Sequence, residues 1–303
     1  MLGWEIEGGA QKQQQRHRNS FLKLYGAIDP ATGLPPLPER FLIAEFGDKD
    51  KALERWRDTL KFREEEKCDA VLAVPHPEFD VVQRYYPQSW YCRDKQGNVV
   101  YIEQVRTRNS EATPFRATLT PALTPPTRQP GGVDLSMIKK NGISVKKLLW
   151  HYMYCTEYLW QVTSPSETDR LTTILDLSNV SLFSIAGDVR KFIKMCVHMT
   201  STHYPARGHK LFIINSPSWF GTVWSWVKPM LNPAIDEKLK IGSGGKKQVS
   251  DMLEIIDEEE LPEMYGGKNN VLFGKAEVDG KLRKHVLDVL EKNGLTMQAN
   301  LGS

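Results

Sequence analysis

Two short apolar runs, residues 171–177 (LTTILDL) and 210–215 (KLFIIN), constrain this chain most, because each lies between segments whose apolar residues repeat at helical spacing. Residues 145–162 carry Leu148, Leu149, Tyr152, Cys155, Thr156 and Leu159 on one stripe. Residues 185–199 do the same with Val189, Phe192, Ile193 and Cys196. Residues 216–231 read as a third helix, opened by Ser216 with Pro217 at its first position, where the missing N–H costs nothing. Residues 239–241 read as a further short strand. Strands joined through helices run parallel, and such crossovers are right-handed. The alternation therefore predicts an α/β fold with a mostly parallel sheet.

Ahead of this core, Asp48 is placed to cap a helix with Ala52, Leu53, Trp56 and Leu60 on one face, ending near Glu66. This is a helical N-terminal lobe. Residues 90–92 and 99–105 flank Asp94-Lys95-Gln96-Gly97, a strand–turn–strand signal. Residues 112–130 hold five prolines and five threonines and predict a loop. A last helix fits 282–290, closed by Asn293-Gly294.

Several function classes are disfavoured. A net charge of +3 over 303 residues is a weak signal for nucleic acid, so none is expected as a partner. Cys68, Cys92, Cys155 and Cys196 have no metal or redox spacing and read as reduced thiols, which with the absence of an apolar leader or spanning run predicts a cytoplasmic location. There is no nucleophile elbow, dinucleotide fingerprint, Walker loop or zinc-protease motif. Gly242-Ser243-Gly244-Gly245 resembles a phosphate loop in composition only, with no helix signal after it. Cys196 and His198 point apart on a helix. His151 and Cys155, four apart, read as packed core, and residues 257–260 (DEEE) as a solvated face. The chain is expected to be non-enzymatic, with no cofactor and no metal.

The unusual segment is 216–231 (SPSWFGTVWSWVKPML). Trp219, Phe220, Val223, Trp224, Trp226 and Val227 give it apolar surface well beyond one stripe. Either the helix is buried all round, or it faces an internal apolar ligand on one side and a membrane on the other, an interface tryptophan favours. Gly221, Pro229 and the glycines of 242–245 would act as hinges.

In order along the chain come residues 41–63, Tyr86-Pro87-Gln88, 94–103 (DKQGNVVYIE), 174–177 (ILDL), Tyr204-Pro205, 210–217 (KLFIINSP), Val227-Lys228-Pro229, Leu261-Pro262 and Tyr265-Gly266-Gly267. This ordered set resembles the CRAL-TRIO lipid-binding family, in its phosphatidylinositol/phosphatidylcholine transfer branch, over about 41–270. The resemblance implies a helical lobe at 41–80 and a lipid-binding lobe at 81–270, between a tail at 1–40 and an extension at 271–303. It implies a sheet flooring an apolar pocket, a gating helix formed by the tryptophan-rich segment, one bound phospholipid as ligand, and transient contact with membrane surfaces. Carried over position by position, it implies headgroup contacts from Trp90, Tyr101, Tyr152 and Thr173 for a choline lipid, and from Arg207 and Lys238 for an inositol lipid. The sequence departs from the pattern at Leu171, where a serine is expected, at Ala206, where a glutamate is expected, and at Glu45-Phe46, where a basic pair is expected. Choline lipid is therefore expected to bind better than inositol lipid. Alternatives are a carrier or sensor of another hydrophobe (sterol, tocopherol or retinoid) and an interaction module working through 112–130.

Overall fold

The computed structural model describes residues 26–105, 133–178 and 180–299. The predicted proline- and threonine-rich loop at 112–130 lies outside them, as does most of the tail at 1–40. The chain first forms two helices, α1 (Glu39–Ala44) and α2 (Lys49–Glu65). As its sequence suggests, Asp48 caps α2 by accepting from the Lys51 N–H. Helix α3 (Phe79–Tyr85) leads into a hairpin, β1 (Gln88–Arg93) and β2 (Val99–Gln104). There follow α4 (Leu135–Lys140), α5 (Val145–Tyr158), β3 (Leu171–Asp176), α6 (Gly187–His203), β4 (Gly208–Ile214), α7 (Phe220–Val227), β5 (Leu239–Ile241), α8 (Gly245–Leu253) and α9 (Glu277–Lys292).

The five strands lie in the order β1-β2-β3-β4-β5. Only β1 and β2 are antiparallel, and every later pairing is parallel. The α/β, mostly parallel fold read from the alternation is the fold observed. Side chains alternate across the pleat, so the sheet has two unlike faces. On one, Val100, Ile102, Ile174, Phe212 and Ile214 pack beneath Met252 of α8 and Ile256. On the other, Trp90, Tyr101, Thr173, Leu211 and Leu239 stand side by side in register, followed by Gln88, Glu103, Leu175, Ile213 and Ile241. Along both rows the polar and aromatic residues of β1 and β2 give way to leucine and isoleucine in β4 and β5. Helix α7 covers the apolar end, and the cavity described below lies over the polar end.

Two boundaries correct the sequence reading. The tryptophan-rich helix is α7 at Phe220–Val227, shorter than the expected 216–231. The Ser216 N–H donates to the Gly242 carbonyl (2.9 Å), so the segment after β4 stays tied to the segment after β5. At the other end, Pro229 has no N–H to continue the ladder, and Lys228–Met230 tightens into a 3-10 turn. Secondly, a helix does follow Gly242-Ser243-Gly244-Gly245. Helix α8 begins at Gly245, with Gly244 holding a left-handed φ of 108°. Its first turn, Gly245-Lys246-Lys247, is polar and hides the helical pattern.

Buried polar links hold the pieces together. Arg63 of α2 makes two hydrogen bonds to Glu157 of α5 (2.8 and 3.0 Å) and also holds Asp69. The Tyr204 hydroxyl donates to the same Glu157. Glu157 is 1% exposed, so the N-terminal lobe is fastened to the core by an ion pair out of water. Removing one partner of such a pair strands a buried charge, at a cost of about 3–5 kcal/mol. Arg63→Met should lose about that much stability in urea unfolding, and the double variant Arg63→Met with Glu157→Leu should recover most of it.

Helix α9, beyond the resemblance, packs Leu282, Val286 and Leu290 into the main core. Its Asp279 accepts from the Ser89 hydroxyl (2.5 Å) and the Trp90 N–H (2.9 Å) of β1. Burial pushes the Asp279 carboxyl up from 3.8 to about 6. The folded chain then keeps this proton at pH values where the unfolded chain has released it. Stability from this group is greatest below about pH 4 and falls as pH rises to about 6. The stability of wild type relative to Asp279→Asn should decline across that window, and a flat difference in urea titrations would contradict it.

Candidate functional site

A cavity of about 290 Å³ lies between the polar end of the sheet, α5, and the turn that follows α6. Trp90, Tyr101, Tyr152, Thr173, Arg207 and Lys238 all line it, although they come from β1, β2, α5, β3, the turn before β4 and the residue before β5. Trp90 and Tyr101 are opposite each other across the hairpin, with ring centroids 5.4 Å apart. Tyr101 lies beside Thr173 on β3. Tyr152 projects from α5, together with Cys155, Thr156 and Leu159.

Arg207 and Lys238 occupy another part of the wall. The Arg207 guanidinium stacks over Trp160, 4.4 Å from the ring centroid, and donates to the Ser166 and Asp169 carbonyls. Lys238 Nζ donates to the Gly208 carbonyl at 2.7 Å. Burial, aided by nearby Arg40, lowers Arg207 to about 10, and burial with nearby Arg170 and Lys210 lowers Lys238. Their hydrogen bonds end on neutral carbonyls, so this wall is electropositive and suited to an anion such as phosphate.

The six tryptophan-segment residues do not line this cavity. Val223 is buried, while Trp219, Phe220, Trp224, Trp226 and Val227 are half-buried. They pack on Leu175, Leu211, Ile213 and Leu239, the apolar end of the same sheet face. Arg190 and Lys194 of α6 sit over the Trp226 ring at 5.1 and 5.8 Å. The helix is neither wholly buried nor a plain surface helix. It is an apolar cover with a wet outer side.

Several lining residues were missed in the sequence. The expected basic pair at 45–46 is absent, yet a cation does reach the cavity from the N-terminal lobe. Arg55 of α2 lines it, bonded to Glu45 (2.5 Å) and to the Thr202 carbonyl (2.9 Å). Asn232, after α7, lines the cavity and donates to the Ala44 carbonyl (2.7 Å), tying that segment to α1. A second space of about 490 Å³ continues outward between these elements, with Phe46 on its rim at 72% exposure. Gln88 also lines the main cavity. Arg55 carried no motif, since its role depends on how the lobe docks. Gln88 belongs to Tyr86-Pro87-Gln88, which is visible in the sequence, but its exposure to a cavity is not.

His151 is fully buried, with Nδ1 2.8 Å from His76 Nε2, and burial holds both imidazoles below their ordinary range. Among the described residues no group of three or more His, Cys, Asp or Glu is poised for a metal. No helix among them is long and apolar enough to cross a membrane.

Comparison with known proteins matches residues 83–267 to the model of the CRAL/TRIO domain. The chain belongs to the CRAL/TRIO domain family. It is 30% identical over 235 residues to the phosphatidylinositol/phosphatidylcholine transfer protein SFH4 of Arabidopsis thaliana, covering 75% of this chain and 34% of that protein. It is 28% identical over 239 residues to the SEC14 cytosolic factor of Candida glabrata, covering 77% of this chain and 70% of that one. The chain thus spans about a third of the length of the plant relatives and most of the length of the yeast one. The crystal structure of Sfh5 superposes with a TM-score of 0.54 over 94% of this chain at 15% identity, a likeness of fold. In CRAL/TRIO terms, the cavity lies inside the matched region, whereas Glu45 and Arg55 precede it and α9 follows it.

Proposed function

We propose that this chain binds a single phospholipid over the gate-side face of its sheet and transfers or presents it between membranes, without catalysing a reaction. The observation that carries this reading is the cavity that collects all six headgroup candidates beside an apolar floor under α7. The names of its relatives, phosphatidylinositol/phosphatidylcholine transfer proteins, point the same way. A carrier of this kind works from the cytoplasm and touches membranes only transiently.

The physics explains why such a carrier needs a pocket and no nucleophile. A two-chain phospholipid crossing water exposes about 30 methylenes, about 24 kcal/mol at ~0.8 kcal/mol each. A hydrocarbon-lined pocket removes almost all of that cost. In this reading α7 lifts from Leu175, Leu211, Ile213 and Leu239 on loading, and acyl chains take over its contacts. The Asn232 to Ala44 hydrogen bond is the first tie to break at the mouth. While α7 is lifted, its tryptophans reach the membrane interface, the environment that suits a ring with one apolar and one polar edge.

Replacing Trp219, Phe220 and Trp224 together by Ala should slow vesicle-to-vesicle transfer of a fluorescent phospholipid by about tenfold or more, since losing even ~60 Å² of apolar contact costs about 1.5 kcal/mol. Unchanged transfer by the folded variant would reduce α7 to core packing. Lys238→Ala should weaken phosphatidylinositol loading by about 10- to 150-fold through loss of a charge-assisted contact, and phosphatidylcholine loading by less than about twofold. Equal, small effects on both lipids, read by extraction and mass spectrometry, would remove Lys238 from the site.

A further inference from the structure

Helix α5 carries His151 and Cys155 one turn apart, and His76, from the segment between α2 and α3, packs against it. The side chains form a chain of contacts. Cys155 Sγ lies 3.6 Å from His151 Nε2, His151 Nδ1 lies 2.8 Å from His76 Nε2, and His76 Nδ1 lies 3.4 Å from the Glu78 carboxylate. Both histidines are 0% exposed and Cys155 is 1% exposed, whereas Glu78 forms the outer end, 3.3 Å from Lys147 Nζ. Burial raises the Glu78 carboxyl, but the His76 hydrogen bond and Lys147 outweigh it and hold the group at about 2, so Glu78 only accepts. Burial lowers both imidazoles, so each is neutral and carries one N–H. His76 then donates from Nδ1 to Glu78, and His151 donates from Nδ1 to His76. His151 Nε2 is left to accept from the thiol. One set of tautomers satisfies every link.

The inner end of this chain meets the main cavity, which Cys155 lines. Among the described residues no other cysteine lines it, and no other has a histidine within hydrogen-bond reach. A second observation belongs to the same space. Gln88 is 2% exposed and lines the cavity, and neither its amide nitrogen nor its amide oxygen has a partner. A buried amide left unpaired costs free energy that a bound polar group recovers. A thiol with a base behind it and an amide N–H free to donate thus line one space, whose walls include Leu159, Trp160 and Leu171. The proposed carriage of a phospholipid uses neither Cys155 nor the histidine pair.

We propose that Cys155, with His151 as its base, captures apolar α,β-unsaturated aldehydes, the kind formed when unsaturated acyl chains are oxidised, as covalent thioether adducts. Such an aldehyde fits because its carbon chain is apolar, its addition expels no leaving group, and its carbonyl oxygen needs one donor, which Gln88 supplies. The sulfur bonds to the β-carbon as the thiol proton passes to His151 Nε2. The carbon–carbon π pair shifts toward the carbonyl, giving an enolate whose oxygen accepts from the Gln88 amide. The α-carbon then takes the proton back from His151. Thiol and aldehyde combine whole, with no oxidant or reductant. Burial pushes the Cys155 thiol up, so thiolate does not accumulate and the proton leaves as the new bond forms. That is the case in which a positioned base speeds a reaction, by about 10²–10⁴-fold. His76 and Glu78 are positioning residues that fix the His151 tautomer. Each chain reacts once, so this is capture without turnover, and it stands independently of phospholipid transfer.

The test exposes the full chain to trans-nonenal, a long-chain apolar enal, fixes adducts with borohydride and follows each cysteine by peptide mass spectrometry. Cys92, only half-buried, is the internal reference, and by access alone it would react first. Cys155 should instead react at least about tenfold faster than Cys92. His151→Gln should slow Cys155 by about 100-fold and leave Cys92 unchanged. Gln88→Met should slow Cys155 by about threefold or more. Glu78→Ala should do the same, and Glu78→Gln, which keeps an oxygen to accept from His76, should restore most of the rate. No difference between those two variants would overturn the positioning role. Far-ultraviolet circular dichroism checks that each variant folds, and if His151→Gln does not, the wild-type order of Cys155 and Cys92 decides. Cys92 reacting before Cys155, or an unchanged Cys155 rate in folded His151→Gln, would overturn the capture site and leave the proposed lipid transfer intact.

Discussion

Strand register is the constraint on which the site depends. Tyr101 stands between Trp90 and Thr173, and Glu103 between Gln88 and Leu175, only because β2 pairs with both neighbours in one particular alignment. A slip of one residue would turn Val100 and Ile102 to the cavity and bury the polar set beneath α8. The apolar layer of Ile174, Phe212 and Met252 on the far side penalises that slip. The hydrophobic effect on one face thus holds the chemistry in place on the other.

Across the cavity face, the change from polar residues near β1 to leucine and isoleucine near β5 separates two tasks. The polar end has rigid surroundings: strands in the sheet, helix α5, and α9 clamping β1 through Asp279. The apolar end is covered by α7, an eight-residue helix with a single fully buried side chain, ended by Pro229. In the proposed carrier, headgroup recognition falls to the rigid polar end and admission of acyl chains to the end covered by α7.

Polar links help to join the two lobes. Arg63 grips Glu157, Arg55 grips the carbonyls that end α6, and Asn232 grips α1. The link at Glu157 is buried and costly to break, whereas the one at Asn232 is a single hydrogen bond at the mouth. Of the two, the Asn232 contact is the weaker.

The alternation of short apolar strands with helical stripes was enough to read the α/β fold and the parallel sheet, because pleat and helix periods are local properties of the chain. The ends of the tryptophan-rich helix were misjudged, because the bond from Ser216 to Gly242 joins residues that only the folded sheet makes neighbours. Helix α8 was missed because its first turn is all glycine and lysine. Of the site, the motifs named Trp90, Tyr101, Tyr152, Thr173, Arg207 and Lys238, and the sheet and its crossovers bring them to one wall. Arg55, Asn232 and Gln88 stayed hidden, because lining a cavity is a relation between distant segments. Local patterning of apolar residues determined which elements form; only the packing of those elements decided which polar groups line the cavity.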